Sequence, residues 1–209
     1  MIDLKLPLIG DCLRVLEMLR LLLRRKQLRA ALLYGPSGVG KSHLSDLFAL
    51  EIGGSPHAIE QINGQSLSVD LVRQWRERAC YGNLFSKWTI KRVDEFDCAS
   101  PQARNEILSL LDYLPPPHLI LATTNDYAAV RGADNRRLES RFKCLPVDGP
   151  GILDATAYLR KEFRLPAATA GEIARGASSH CLGFDGVNMR QAVEAAQSWL
   201  AERTLEDAA

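Results

Sequence analysis

The run Gly35-Pro36-Ser37-Gly38-Val39-Gly40-Lys41-Ser42 sets three glycines, a lysine and a hydroxyl in the spacing GxxxxGK[ST]. Glycines let successive backbone N–H groups turn toward one anion. A helix starting at Lys41 would add its N-terminal partial positive charge to the same point. That chemistry suits the phosphates of ATP, with Lys41 reaching the β and γ phosphates and the Ser42 hydroxyl ligating Mg²⁺. Further along, Asp94 and Glu95 close the segment Trp88 to Val93. Asp94 would hold the Mg²⁺, directly or through water, and Glu95 would orient and deprotonate an attacking water.

These residues need a strand ahead of the loop, a helix behind it, and a second strand delivering the acids to the same sheet edge. Short apolar segments do alternate with amphipathic ones between Leu28 and Val147, the pattern of a parallel α/β sheet. Five strands are predicted: Ala30 to Tyr34, His57 to Ile62, Trp88 to Val93, His118 to Thr123 and Lys143 to Val147. Helices are predicted over Lys41 to Glu51, Val69 to Cys80 and Gln102 to Leu114, the last stopped by Pro115, Pro116 and Pro117. One feature conflicts with this scheme. Lys91 and Arg92 occupy strand positions that should be apolar if the strand is central, since a buried unpaired charge is costly.

After Asp148-Gly149-Pro150-Gly151 the sequence becomes alanine-rich and offers no further strand candidate. Helices are expected over Ile152 to Phe163, Ala168 to Ser178 and Asn188 to Arg203. The fold class expected is therefore a five-stranded parallel P-loop α/β domain, residues 1–147, followed by a small helical lid, residues 148–209. ATP would lie between the two.

Composition narrows the classes. With 46% apolar and 24% charged residues the chain has the balance of a globular protein, which excludes disorder. Arg14, Arg20 and Arg24 interrupt the leucine-rich start, so no membrane span is predicted, and without a secretory signal a cytoplasmic location is expected. The five cysteines lack a CxxC pair and are expected as thiols. His43, His57, His118 and His180 lack metal-ligand spacing, leaving Mg²⁺ as the metal. The formal charge of +1 neither demands nor excludes nucleic acid. From Met1 to Arg29, however, seven basic residues (Lys5, Arg14, Arg20, Arg24, Arg25, Lys26, Arg29) face three acidic ones. Trp75, Trp88 and Trp199 sit in apolar contexts and read as packing residues.

The order of motifs resembles the AAA+ ATPases. Asp94-Glu95-Phe96-Asp97, then Ala122-Thr123-Thr124-Asn125 at the end of the next strand, is similar to the succession of Walker B and sensor 1, with Asn125 as the sensor. Ser140-Arg141-Phe142 resembles the Ser-Arg-Cys element of sliding-clamp loaders, with Phe142 in place of Cys. By that resemblance Arg141 is an arginine finger for a neighbouring subunit's ATP. Gly186-Val187-Asn188-Met189-Arg190 resembles sensor 2, which makes Arg190 a phosphate contact from within the chain. Leu8-Ile9-Gly10 is placed like the adenine-pocket segment, so Ile9 joins the nucleotide-binding set. Ile62-Asn63-Gly64 with Val72-Arg73 resembles the stretch after the second strand in clamp-loader small subunits. The loop's continuation Lys41-Ser42-His43-Leu44, with His43 beside the nucleotide, is closer to helicase loaders and initiators. The resemblance includes neither a collar domain nor the zinc module of the bacterial loader's motor subunit.

The resemblance implies an oligomeric ATPase, self-associating or joined to related AAA+ subunits, that acts as a motor or loader in DNA replication, clamp loading or mobile-element maintenance. Its expected partners are DNA and replication or transposition proteins, with no membrane. One alternative is a helicase loader or transposition regulator assembling on DNA. Another is a chaperone-like remodeller of a protein partner that ignores nucleic acid. A non-hydrolysing structural subunit fits less well, because Lys41, Asp94, Glu95 and Arg141 are all retained.

Overall fold

A computed structural model describes residues 7–81, 86–132, 135–181 and 184–206. In chain order its elements are α1 (Asp11–Arg24), β1 (Ala30–Tyr34), α2 (Lys41–Gly53), β2 (Ile59–Asn63), α3 (Val69–Arg78), β3 (Thr89–Asp94), α4 (Pro101–Tyr113), β4 (His118–Thr124), α5 (Tyr127–Arg131), α6 (Asn135–Glu139), β5 (Lys143–Pro146), α7 (Ile152–Glu162), α8 (Ala167–Gly176), β6 (Ser178–Cys181), β7 (Phe184–Val187) and α9 (Met189–Glu206). They form two compact units. One holds Val15–Gly35 and Lys41–Pro146; the other holds the described residues of Met1–Arg14, Pro36–Gly40 and Val147–Ala209.

The first unit is the expected α/β fold. Its five strands run parallel in the order β2-β3-β4-β1-β5. Covered strands need apolar residues pointing both ways. β4 obeys this over Leu119 to Ala122, and the strand is buried along its whole length from His118 to Thr124. The core on one face joins Leu32, Val93, Ile120 and Ala122 of the sheet to Val72 and Trp75 of α3 and Ile107, Leu110 and Leu111 of α4. Helix starts follow local chemistry. Ser68 accepts a hydrogen bond from Leu71 N–H, Ser100 from Ala103 N–H with Pro101 next in line, and Asp126 from Ala129 N–H.

The second unit packs α7, α8 and α9 around Ala155, Leu159, Ala170, Ala174, Ala192 and Ala196, with Ile9 against the same cluster. The helices fall where periodicity puts them. The expectation of no further strand does not hold, because β6 and β7 pair as an antiparallel hairpin, Ser178 opposite Val187. Ser178, placed by periodicity at the end of a helix, begins a strand instead. Four-residue strands are too short to carry an alternation signal, and helix-friendly alanines precede them. Among the described residues no helix is long and apolar enough to cross a membrane. Lys5 and Asp3 of the basic N-terminal stretch lie outside the described residues.

Candidate nucleotide-binding and catalytic site

Lys41 is the first residue of α2, and its side chain turns back to the end of β1. Its ammonium donates to Gly35 O at 2.8 Å and to Asn125 Oδ1 at 2.8 Å, while the residue is only 6% exposed. Thus Lys41 and Asn125, far apart in sequence, meet at the carboxyl end of adjacent strands β1 and β4. Ser42 and His43 follow on the first turn of α2, both half-buried. Tyr34 at the end of β1 stacks on Tyr127 at the start of α5, ring centroids 4.1 Å apart, which fixes the turn carrying Asn125.

Within the loop, Gly38 has φ +82°, a conformation costly for any residue with a Cβ. A Cβ there would also lie 1.9 Å from Asn188 Oδ1. Gly38 O accepts from Arg190 N–H at 3.2 Å, and Cys12 Sγ lies 3.4 Å from Val39 O, so the loop tip, α1 and the start of α9 meet in one unit. Pro36, Ser37 and Gly40 complete the loop. Arg190 itself is exposed.

The two acids end β3. Three strands supply polar contacts to Asp94: Arg92 Nη2 of its own β3 at 2.8 Å and Gln61 Nε2 of β2 at 2.9 Å reach Oδ2, and the Thr123 hydroxyl of β4 reaches Oδ1 at 3.1 Å. Glu95 adopts φ 54°, ψ 52°, the left-handed region, which for a non-glycine residue is a strained turn of the kind found at functional sites. Its side chain is exposed and accepts from Asn63 Nδ2 at 2.8 Å, while its N–H points to Thr123 Oγ1 at 3.4 Å. Asp97 fixes the facing strand end, accepting from the Thr124 hydroxyl at 2.7 Å and Asn125 N–H at 3.4 Å. Gln61 was not singled out by sequence, and Thr123 and Asp97 entered only as members of quoted motifs, with no role given to either. The signal available was polar residues at the carboxyl ends of strands flanking Asp94.

The conflict over Lys91 and Arg92 resolves through partners. β3 is interior, between β2 and β4. Lys91 pairs with Glu60 on β2 and lies 5.3 Å over the Trp75 ring, whose Nε1 donates to Glu60 at 2.8 Å. These contacts hold the Glu60 carboxyl below its ordinary range against the opposing effect of burial. Arg92, with its side chain 1% exposed, bridges Asp46 of α2 and Asp94. Burial presses its guanidinium below the usual arginine range, and Asp94 opposes that.

Arg141 does not meet these groups within one chain. It follows α6 and makes a two-pronged pair with Asp112 of α4, Nε and Nη2 each at 2.8 Å, while Nη1 donates to Arg137 O and Ser140 Oγ at 3.2 Å. That pairing keeps the Asp112 carboxyl below its ordinary range. Phe142, next in line, is buried against Phe96, ring centroids 5.9 Å apart, and anchors the segment.

The residues present fit a magnesium nucleotide. Glycines with positive φ free the loop's backbone, Lys41 sits at a helix start, and Ser42 and Asp94 are hard oxygen donors. Among the described residues no group of three or more His, Cys, Asp or Glu could hold a metal unaided. A donor set of one carboxylate and one hydroxyl suits Mg²⁺, which keeps waters and takes phosphate oxygens.

A family model described as AAA domain (dynein-related subfamily) matches residues 30–142, more than half of the 209 residues. The chain belongs to the AAA domain family. The matched span contains Gly35 to Ser42, Asp94, Glu95, Asn125 and Arg141. Among solved structures, a RuvB mutant of Thermotoga maritima superposes with a TM-score of 0.65 at 17% identity, covering 90% of this chain and 61% of that one. A DNA polymerase III gamma subunit-related protein, also of Thermotoga maritima, gives 0.56 at 17% identity, covering 76% and 57%. This AAA chain therefore spans about three fifths of the length of either. At that identity both likenesses are of fold. No curated protein matches.

Proposed function

We propose that this AAA chain is an ATP-hydrolysing subunit of an oligomeric motor or loader that acts on DNA and its replication or mobile-element machinery. The observation that carries the reading is the meeting of Lys41, Asn125, Asp94 and Glu95 at one carboxyl edge of the sheet, with Lys41 on Asn125 and Thr123 on Asp94. A lysine for phosphates, a carboxylate for metal, a second carboxylate for water and a polar sensor are the parts that phosphoryl transfer to water requires.

In this reading the loop N–H groups and Lys41 hold the phosphates, and Ile9, His43 and Arg190 complete the nucleotide contacts. Mg²⁺ held by Ser42 and Asp94 would neutralise charge developing on the phosphates. Glu95 takes the proton of the attacking water, and Asn125 orients that water or the terminal phosphate. Arg141, whose side-chain contacts are with Asp112, Arg137 and Ser140, serves a neighbouring subunit's ATP, so assembly completes catalysis. The α/β domain is taken as residues 1–147 and the lid as 148–209. The DNA assignment draws on the Ser140-Arg141-Phe142 element and on the likeness to a DNA polymerase III gamma subunit-related protein.

Lys41→Ala should abolish ATP binding in calorimetry. Glu95→Gln should bind ATP normally and hydrolyse it roughly a hundredfold more slowly or worse. Steady-state hydrolysis with single-stranded, duplex and primed DNA, at low and physiological salt, tests the cargo. Stimulation should weaken steeply with salt. No stimulation by any DNA, with assembly confirmed by sedimentation, overturns the DNA assignment and favours a protein remodeller.

A further inference from the structure

Arg92 is among the largest fully buried side chains of the protein, and it lies on the strand that delivers Asp94. Its guanidinium is divided between two acids. One prong meets Asp46 Oδ1 and the other donates to Asp94 Oδ2 at 2.8 Å, while its Nε has no partner among the described atoms. Asp46 stands on α2 one helical turn after Ser42, so the acid that shares Arg92 sits on the helix that also carries the proposed hydroxyl ligand. Both carboxylates are largely covered, at 17% and 16% exposure. At such a depth charges act on one another at reduced dielectric, and the sharing of one cation between two anions has electrostatic weight.

We infer that Arg92 is a positioning residue that sets how strongly the site holds its metal, and that Asp46 tunes it by taking part of the guanidinium away from Asp94. This inference rests on the reading of Asp94 as the metal-binding carboxylate. Arg92 ties β3 to α2, which fixes Asp94 relative to Ser42, and it occupies one Asp94 oxygen, which keeps the carboxylate from acting as a free anion. Gln61 on Oδ2 and Thr123 on Oδ1 hold the carboxylate's rotation. The sign of each perturbation follows. Neutralising Asp46 gives Asp94 a fuller share of Arg92 and weakens metal binding. Removing the guanidinium leaves Asp94 more negative and strengthens it.

The test uses the full chain carrying Glu95→Gln, to prevent turnover, and a fluorescent ATP analogue. The readout is the ratio of the dissociation constant in EDTA to that in saturating Mg²⁺, the gain in nucleotide affinity that the metal supplies. Asp94→Asn should collapse this gain toward unity. If it does not, the metal reading of Asp94 fails, and the inference with it. With that control behaving, Asp46→Asn should reduce the gain several-fold and Arg92→Met should raise it at least about tenfold, since one unit charge a few ångströms away at an effective dielectric near 20 is worth more than one decade in binding. Arg92→Met alone leaves Asp46 uncompensated and risks unfolding. The double variant Asp46→Asn with Arg92→Met removes both charges, and its gain should lie above that of the parent. Gains unchanged in Asp46→Asn and in the double variant, or moved in the same direction by both, would overturn the inference while leaving the metal reading of Asp94 standing.

Discussion

Asn63 donates its side-chain amide to Glu95 Oε2 at 2.8 Å, reaching from the end of β2 to the turn that follows β3. The ladder makes this possible, because Asn63 stands opposite Asp94 in the β2–β3 register and Glu95 is the next residue. The carboxylate proposed to take a proton from water is therefore held toward β2. A hydrogen bond to a charged group contributes about 1.5 to 3 kcal/mol, enough to bias the side chain's position. Asn63→Ala should leave ATP binding intact and raise the unstimulated hydrolysis rate by about tenfold, since 1.4 kcal/mol corresponds to one decade. Phosphate-release assays on the unstimulated chain measure this. A fall in rate would mean that Asn63 instead holds Glu95 in its working position.

Gly64 follows Asn63 and passes so close to the Glu95 turn that a Cβ would lie 2.1 Å from Glu95 O and 3.2 Å from Ala99 N. Those are backbone atoms, with no flexible end to give way. Gly64→Ala must push the acid-bearing turn aside, and overpacking of this kind costs about 1 to 3 kcal/mol. The urea midpoint should drop accordingly, and hydrolysis should fall more than nucleotide binding, because Lys41 and its loop are not touched. Wild-type stability and activity in this variant would show that the turn is looser than its contacts imply.

The sheet was legible because β1 and β4 are largely apolar runs and the helices α2, α3 and α4 between the strands show their own period. β1 falls on Ala30 to Tyr34 as the sequence predicts. The loop and the two acids were legible as motifs, since phosphate binding constrains spacing. What surrounds them was not. Gln61, Asn63 and Thr123 reach Asp94 and Glu95 through strand order, and the order β2-β3-β4-β1-β5 brings together residues with no sequence relation. Arg92 read as a conflict because its two partners sit on different elements, Asp46 on α2 and Asp94 beside it on β3. The hairpin Ser178–Cys181 with Phe184–Val187 carries too few residues for an alternation to show.

His118 opens β4, is 8% exposed, and is hydrogen bonded to the backbone of Ala79. Burial lowers its pKa below the ordinary value near 6.5, and the Lys91 ammonium lowers it further. The unfolded chain therefore takes up the proton first as pH falls. The stability associated with the neutral imidazole is complete above about 6.5 and is lost as pH drops from there to the lower folded value. Urea midpoints measured from pH 8 to pH 5 should decline in the wild type and decline less in His118→Gln. Parallel profiles would assign the dependence to other groups.

Arg141 makes its strongest contacts with Asp112 of its own chain, and the pair is partly exposed. Exposed pairs of this sort are readily exchanged for a better anion, and a nucleotide phosphate carries more charge in a geometry the guanidinium fork also matches. If Arg141 serves a neighbour, Arg141→Ala should bind ATP as the wild type does yet lose on the order of 10³ to 10⁵ in hydrolysis rate. Asp112→Asn should change the rate far less, because it removes only the resting partner. The decisive measurement is mixing. Arg141→Ala subunits keep an intact Lys41, and Lys41→Ala subunits keep an intact Arg141, so interfaces formed between the two should recover hydrolysis that neither shows alone. Recovery should rise and fall with the mixing ratio, peaking near equal amounts. If co-assembly is demonstrated and the mixture stays inactive, Arg141 does not act across an interface between copies of this chain.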